Sequence, residues 1–354
     1  MMGSWVRVPQ AAPRIEGVSG ARNERQAKRQ RNAELGTPVK TCVVGAGAIG
    51  GWIAAEMAIG GSDVSVIARG DTLRLIDSEG LRLTENGTTH CVAVATAEDP
   101  AALGVQELVV IAVKAPALAE IAAMLEPLMG PETLILPLLN GVPWWFTDEP
   151  LWSVDPHCAI ADAFPIGQII GCVVHASCRR DAPNHIHVIQ ADKLIVGEPT
   201  GGASDRVEHL RAIFENTGVP CEQTSDVRRE IWYKLWGNAT LNPLSALTRA
   251  TADLIHSDDE ARAWMLEGMA ELAAVGEAIG CGIDESAEDR LRVTERLGAF
   301  KTSMLQDVEA GRPIELEALL GAPREIARRV GVATPQLDRL YAMTRLMADN
   351  LGLL

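Results

Sequence analysis

Basic charge, aromatic side chains and long apolar runs are all scarce in this sequence. The 354 residues carry a net charge of −15 and only 4% aromatic residues. A nucleic-acid-binding protein needs a basic face, so the acidic balance argues against that class. No run of about 18 apolar residues occurs, which argues against a membrane-spanning helix. The chain is nevertheless long enough for two domains, each with its own core.

Paired cysteine motifs are also missing. The seven cysteines are odd in number, scattered and never spaced as C-x-x-C: Cys42, Cys91, Cys158, Cys172, Cys178, Cys221 and Cys281. This pattern predicts reduced thiols in a cytoplasm rather than a disulfide framework. We therefore expect a cytoplasmic protein whose cysteines mostly act as small buried hydrophobes.

Residues 1–38 lack apolar periodicity. The segment "GVSGARNERQAKRQRNAELGTP" is polar and basic, which predicts a disordered leader without a role in the fold. It has no apolar core of the kind that a signal peptide carries. An Arg-rich transit peptide is an alternative, and Glu16, Glu24 and Glu34 count against it.

A glycine-rich motif follows the leader, in "KTCVVGAGAIGGWIAAEMAIGG". A β-branched run ends at Gly45 and a helical pattern begins near Ala48, so Gly45, Gly47 and Gly50 satisfy G-x-G-x-x-G between a strand and a helix. The first glycine permits the turn, the second admits a pyrophosphate, and the third allows close packing. The helix N-terminus adds free N–H groups and a positive dipole end. We predict a dinucleotide site, with a structural turn as the alternative, on Gly45, Ala46, Gly47, Ala48, Ile49 and Gly50.

Three further strands end in polar residues. The strand in "DVSVIA" leads to Arg69, where an NAD site would place an acidic residue, so Arg69 favours the 2′-phosphate of NADP; the alternative is a solvated arginine. The buried runs "ELVVIAVK" and "ETLILPLLNG" end at Lys114 and Asn140. Because ligands lie beyond the carboxyl ends of parallel strands, we expect these side chains to converge with Gly45.

The rest of the first half is rich in strand signals. Asn86 and Gly87 separate two alternating runs, which predicts a type I′ hairpin. Residues 169–198 are β-rich and carry His185 and His187 on one face. The two histidines suggest a metal, but a third ligand is missing nearby, so we predict structural or exposed histidines and no metal. Together with the glycine motif, these signals predict a Rossmann dinucleotide-binding domain over 39–222.

Helical periodicity dominates from residue 223 to 354, where we predict an all-helical domain. The fold class is therefore α/β with a helical C-terminal domain. The predicted helices lie near 227–248, 258–279, 287–309, 315–330 and 335–353.

The first of these helices carries a polar stripe in "YKLWGNATLNPLSAL". Lys234, Asn238 and Asn242 recur every four residues and so share one face. Pro243 is expected to bend or break the helix beside them. Burying an ammonium and two amides costs several kcal/mol unless they are paired. The stripe alone leaves two alternatives open: a functional site, or an interhelical network with a lysine that reaches solvent.

Two later segments carry further candidates. Ser303 lies in "TSMLQDVEAGRPIELE", and Glu315 follows its Gly-Arg-Pro turn. A glutamate at that position also complements a helix dipole, so each residue alone is open to a structural explanation.

Taken together, these motifs resemble the ketopantoate reductase family. The resemblance covers nearly everything after residue 39. It rests on "VVGAGAIGG", Lys114 in "VKA", Asn140–Gly141, "KLWGNATLNPLSAL" and "SMLQDVEAGRPIE". It implies an active site in the cleft between the two domains, NADP(H) as cofactor, and a small 2-oxo acid as substrate.

The resemblance also implies roles for single residues. Lys234 would be the general acid, and Glu315 would order it and contact the bound ligands, cofactor included. Asn238, Asn242 and Ser303 would hold the substrate. Lys114 and Asn140 would contact the cofactor, with Asn140 also near the substrate.

The implied reaction is the NADPH-dependent reduction of 2-dehydropantoate to (R)-pantoate, in pantothenate and coenzyme A synthesis, by a possible homodimer. Two departures from the family pattern put the substrate in question. Ala252 replaces an asparagine, and the loop after Asn140 holds Trp144, Trp145 and Trp152, which either pack that loop or widen the pocket. The alternatives are a reductase of another branched or aromatic 2-oxo acid, or an NADP(H)-binding redox sensor without turnover.

Overall fold

The computed structural model describes residues 38–296 and 298–354, so the predicted leader lies outside the described residues apart from Pro38. Strands occur only in the first part of the described chain. In chain order they are β1 (Lys40–Val44), β2 (Asp63–Ile67), β3 (Leu81–Glu85), β4 (Thr88–Val92), β5 (Ala95–Ala97), β6 (Leu108–Ile111), β7 (Leu134–Pro137), β8 (Gly171–Ala182), β9 (His185–Gly197) and β10 (Cys221–Gln223).

Helices alternate with these strands, and the regular elements that follow β10 in the described chain are all helical. They are α1 (Ala48–Gly60), α2 (Gly70–Glu79), α3 (Ala115–Ile121), α4 (Ala159–Ala163), α5 (Asp205–Glu215), α6 (Val227–Thr248), α7 (Ala252–Ser257), α8 (Asp259–Ala278), α9 (Ala287–Glu295), α10 (Ser303–Glu309), α11 (Ala322–Arg329) and α12 (Pro335–Leu351). A π-helical turn, Glu317–Gly321, leads into α11.

Five parallel strands form the first sheet, in the order β5-β2-β1-β6-β7. Their apolar side chains are buried on both faces, as expected for a parallel sheet covered by helices. The chain moves from β1 to β2 on one side and later returns to β6 on the other. This reversal of strand order creates a crevice beside β1, where open α/β sheets bind their ligands.

A second sheet forms from the long β8–β9 hairpin together with β3, β4 and β10. The predicted hairpin turn is confirmed, because Asn86 and Gly87 have φ angles of 49° and 75°. Strand β8 continues into the centre of the molecule and packs against α6. The sheet therefore brings a strand backbone close to the polar stripe.

The described residues 227–296 and 298–354 contain helices and no strand. The prediction of one helix over 287–309 is wrong, since the structure has two helices, α9 and α10. Gly298 has a φ of +69°, a left-handed conformation that ends helical geometry. Thr302 Oγ1 then accepts a hydrogen bond from the Leu305 N–H at 3.2 Å and starts α10 as a cap.

Helix α6 begins and ends where the sequence pattern predicts, and it does not break at Pro243. The cap at its start is Asp226, which accepts a hydrogen bond from the Arg229 N–H at 3.0 Å. Among the described residues, no helix combines the length and the apolar character that crossing a membrane requires.

Candidate active site

The glycine motif forms a narrow turn at the end of β1. Gly45 has a φ of +99°, and its N–H donates to the Ile67 carbonyl at 3.1 Å. A Cβ at position 50 would lie 2.0 Å from the Gly45 oxygen and 2.7 Å from the Ala112 Cβ. Position 47 differs, because a Cβ there would meet nothing within 4 Å. Two glycines therefore close the turn, and Gly47 keeps space open in front of it.

The N-terminus of α1 fits an anionic ligand. The cap residue Gly47 has no side chain to satisfy the first N–H groups, and the first turn contains no acidic residue. Unsatisfied N–H groups and the helix dipole favour a phosphate at this position. Residues 45–50 thus fit the pyrophosphate of a dinucleotide.

The polar residues at the strand ends lie along one edge of the parallel sheet. The strand order places them in the sequence Arg69, Gly45, Lys114, Asn140 across that edge. The four strand ends that carry these residues therefore lie side by side on one edge of the sheet.

Arg69 is exposed at the start of α2. Its Nη2 lies 4.0 Å from the Met124 sulfur, and within the described chain it forms no salt bridge with a carboxylate. The nearby Asp71 is paired instead with Arg74, at 3.0 Å. The Arg69 guanidinium is thus available to a 2′-phosphate.

Lys114 reaches across to the helical domain. Its Nζ lies 2.5 Å from Asp307 Oδ2 and donates a hydrogen bond to the Pro313 carbonyl at 3.0 Å. Asp307 is buried and also accepts from Arg312 Nε at 3.0 Å. Asp307 is absent from the residues predicted from the sequence, although it lies four residues after Ser303 on α10 in the same motif. This spacing was the signal that could have identified it.

The polar stripe of α6 faces the first domain rather than solvent. Lys234 Nζ donates to the Val174 carbonyl of β8 at 2.7 Å, and Asn238 Nδ2 donates to Asn140 Oδ1 at 3.2 Å. Asn242 is buried at 5% exposure. Lys234 therefore does not reach out to solvent, and its partner is a backbone carbonyl that no sequence motif could reveal.

Burial changes the proton affinity of both predicted catalytic groups. It lowers the pKa of Lys234 from its ordinary value, against the smaller opposing effects of Cys172 and Glu315. Burial also raises the pKa of Glu315, while the Lys114 charge and the Ala115 N–H oppose that shift. Lys234 and Glu315 are thus close enough to interact electrostatically, and the Lys114 charge acts on the same carboxylate.

The two remaining substrate-binding candidates are Ser303 and Asn242. Ser303 is the first residue of α10, which packs against α6, and its side chain is exposed. Within the described residues, Ser303 and Asn242 form no side-chain hydrogen bond with the protein. Both groups are thus free of protein hydrogen bonds, as substrate-holding residues would be.

The tryptophans of the loop do not form a pocket wall together. Trp144 and Trp145 are buried, and the Trp144 ring lies 5.9 Å from that of Phe164, while Trp152 is exposed. Packing of the loop explains the first two. Among the described residues, no group of three or more His, Cys, Asp or Glu could hold a metal.

Comparisons with known proteins agree with this geometry. The family model described as "Ketopantoate reductase PanE/ApbA" matches residues 41–201, and the corresponding C-terminal model matches residues 226–348. A curated 2-dehydropantoate 2-reductase of Mesorhizobium japonicum is 38% identical over 89% of this chain and 99% of its own length.

Solved structures give the same result. A candidate ketopantoate reductase from Ralstonia solanacearum MolK2 is 47% identical, with a TM-score of 0.87 over 90% of this chain and all of the other. The 2-dehydropantoate 2-reductase of Geobacter metallireducens GS-15 is 29% identical, with a TM-score of 0.78 over 87% of this chain and 99% of the other. The chain therefore belongs to the ketopantoate reductase family of NADP-dependent oxidoreductases.

Proposed function

We propose that this protein reduces 2-dehydropantoate to (R)-pantoate with NADPH, and that Lys234 is the general acid. One observation carries the proposal. Lys234 Nζ is held by the Val174 carbonyl at 2.7 Å, in the cleft where Asn238 contacts Asn140 of the opposite domain. The relatives named 2-dehydropantoate 2-reductase support the choice of substrate.

Residues 45–50 are proposed to hold the pyrophosphate, and Arg69 the 2′-phosphate. Lys114, Asn140 and Glu315 would contact the rest of the cofactor. When bound, the reduced nicotinamide supplies the hydride that the carbonyl carbon receives.

Lys234 supplies the proton. An ammonium has three N–H donors, and one is used on Val174, so two remain for the substrate carbonyl oxygen. As negative charge develops on that oxygen, an N–H bond of Lys234 breaks and an O–H bond forms. The lowered pKa of Lys234 makes this transfer easier, and the neutral amine then takes a proton from solvent.

The amides of the stripe and the hydroxyl of α10 position the substrate. Asn238, Asn242 and Ser303 can donate and accept hydrogen bonds without adding charge. Glu315 is proposed as the acidic partner that raises the proton affinity of Lys234 and so keeps its ammonium charged. Glu315 lies two residues before the π-helical turn, and its electrostatic partners are Lys234 of α6 and Lys114 of the first domain.

The decisive experiment follows NADPH oxidation against 2-dehydropantoate and a panel of branched and aromatic 2-oxo acids. We expect the highest kcat/KM for 2-dehydropantoate. A clearly higher kcat/KM for an aromatic acid would replace the substrate and keep the mechanism. Absence of turnover with every 2-oxo acid would contradict the proposed reaction itself.

Three further properties stay predictions: membership in pantothenate synthesis, a cytoplasmic location and a homodimer. Light scattering would test the homodimer.

A further inference from the structure

A second cation lies on the flank of the polar stripe. Arg290 belongs to α9, and its guanidinium carbon lies 5.0 Å from the centre of the Tyr233 ring. A Cβ at Gly237 would lie 3.5 Å from Arg290 Nη2 and 3.6 Å from its Nε. Tyr233 and Gly237 directly precede Lys234 and Asn238, so the guanidinium lies beside the proton donor and the amide of the stripe.

Arg290 forms no salt bridge with a carboxylate of the described chain. Its Nε is buried and has no hydrogen-bond partner. The acidic residues close to it in sequence have other partners: Glu285 accepts from the Tyr233 hydroxyl at 2.5 Å, and Asp289 pairs with Arg292 at 2.5 Å. Within the described residues, the side-chain group that faces the Arg290 charge is the Tyr233 ring. Leaving a buried guanidinium N–H unpaired is costly unless a ligand satisfies it.

The electrostatics place Arg290 and Lys234 in one neighbourhood. Burial, together with the charges of Lys234, Lys193 and Arg290, lowers the pKa of His175 to about 4. His175 directly follows Val174, whose carbonyl holds Lys234. Lys193 already has a carboxylate partner, Glu222, at 2.5 Å.

Lys234 and Arg290 thus lie beside one another along α6, and neither has a carboxylate within salt-bridge distance in the described chain. This concentration of positive charge occurs in a protein of net charge −15. Because His175 is neutral at neutral pH, it does not add a third positive charge beside them. Two neighbouring cations suit a ligand that carries an anionic group next to a polar oxygen.

Gly237 shows how close the guanidinium lies to α6. A Cβ at this position would be in ordinary van der Waals contact with Arg290 Nη2, Nε and Cζ, at 3.5 to 3.8 Å. The Arg290 side chain therefore packs directly against the middle of the helix, next to the stripe.

We propose that Arg290 is a specificity-determining residue that binds the carboxylate of the 2-oxo acid while Lys234 donates to its carbonyl oxygen. The inference rests on the proposed function and deepens it. The planar guanidinium matches a carboxylate with two parallel hydrogen bonds, which a lysine cannot form. A phosphate of the cofactor is the competing anion.

The test compares Arg290→Gln and Arg290→Lys with Arg292→Gln, a control on the same helix whose exposed partner is Asp289. KM and kcat are measured for a 2-oxo acid and for its neutral methyl ester, and Kd is measured for NADPH. Arg290→Gln should raise KM for the acid roughly 10- to 100-fold, the scale of a lost charge-assisted hydrogen bond. The KM of the ester, the Kd of NADPH and the control variant should stay near wild type, and Arg290→Lys should be intermediate.

Three results would overturn the proposal. Equal increases in KM for acid and ester would indicate a structural role, and a weakened Kd for NADPH with normal KM for the acid would assign Arg290 to a cofactor phosphate. An unchanged KM for the acid together with an unchanged Kd for NADPH would exclude a role in binding either ligand. If the wild type reduces no 2-oxo acid, the proposed function fails separately. Calorimetric binding of oxamate then decides the carboxylate site, because equal affinity for wild type and Arg290→Gln, or no binding to either, contradicts it.

Discussion

The two sides of the proposed cleft differ in the chemical groups that they offer to a ligand. The Rossmann wall offers backbone N–H groups at the start of α1, and its glycines matter because they have no side chains. The helical wall offers side chains, with Lys234, Asn238 and Arg290 on one region of the bundle. The first arrangement suits a phosphate of any nucleotide, whereas the second is proposed to orient one particular small molecule. The proposed binding is thus general on one side and selective on the other.

The largest effect should come from the helical wall. Lys234→Ala should lower kcat/KM by about 10²-fold or more, because the alkoxide loses its proton donor. Steady-state oxidation of NADPH measures this, with Lys193→Ala as the control, since Lys193 pairs with Glu222 outside the stripe. Rates near those of the wild type would remove Lys234 from catalysis.

The pH profile sharpens the same assignment. Lys234 must be protonated to act, so kcat/KM should fall as pH rises through its pKa. Burial lowers that pKa, so the fall should occur below the ordinary value of 10.5. A profile that stays flat up to pH values above 10.5 would contradict the role.

Two glycine substitutions on the Rossmann side should impair NADPH binding in distinguishable ways. Gly50→Ala should lower the melting temperature and abolish NADPH binding, because its Cβ would lie 2.0 Å from the Gly45 oxygen. Gly47→Ala has room for its Cβ and should leave the melting temperature of the free protein unchanged. It should still weaken NADPH binding, because the methyl group occupies the space needed by the pyrophosphate. Thermal unfolding with and without NADPH separates these results. An equal fall in the melting temperature of the free protein for both substitutions would contradict the assignment of open space at position 47.

A smaller effect on the Rossmann side is expected from Arg69, which should influence the choice between NADPH and NADH. Arg69→Ala should weaken NADPH by roughly 10- to 100-fold, the scale of a charge-assisted hydrogen bond, and should barely change NADH. Arg74→Ala is the matched control, because Arg74 is paired with Asp71. Fluorescence titration with both nucleotides gives the ratio, and equal losses would exclude Arg69 from the 2′-phosphate site.

The smallest expected effect concerns stability rather than activity. His175 has a pKa of about 4 in the folded protein and about 6.5 in an unfolded chain. The unfolded state therefore binds a proton first, so stability is full above pH 6.5 and declines as pH falls toward 4. His175→Gln should flatten part of that decline in urea titrations, and the exposed His209→Gln should not.

The sequence by itself determined the elements and most of the candidate residues. Glycine spacing, apolar periodicity and strand ends placed β1, α1 and α6, because these features depend on local backbone geometry and burial pattern. One exception was the predicted helix over 287–309, where a left-handed glycine at 298 and the cap at Thr302 divide the chain in two. Both are local signals, and a run of helix-favouring residues around them concealed the boundary.

Tertiary structure alone decided what the polar groups meet. The Val174 carbonyl that holds Lys234, the Asp307 carboxylate that pairs with Lys114, and the guanidinium of Arg290 come from distant parts of the chain. Their distances depend on how the second sheet and α9 pack against α6, and no local pattern encodes that packing. The motifs therefore indicate the reaction class, while the groups that we propose to select the substrate are brought together only by the packing of the two domains.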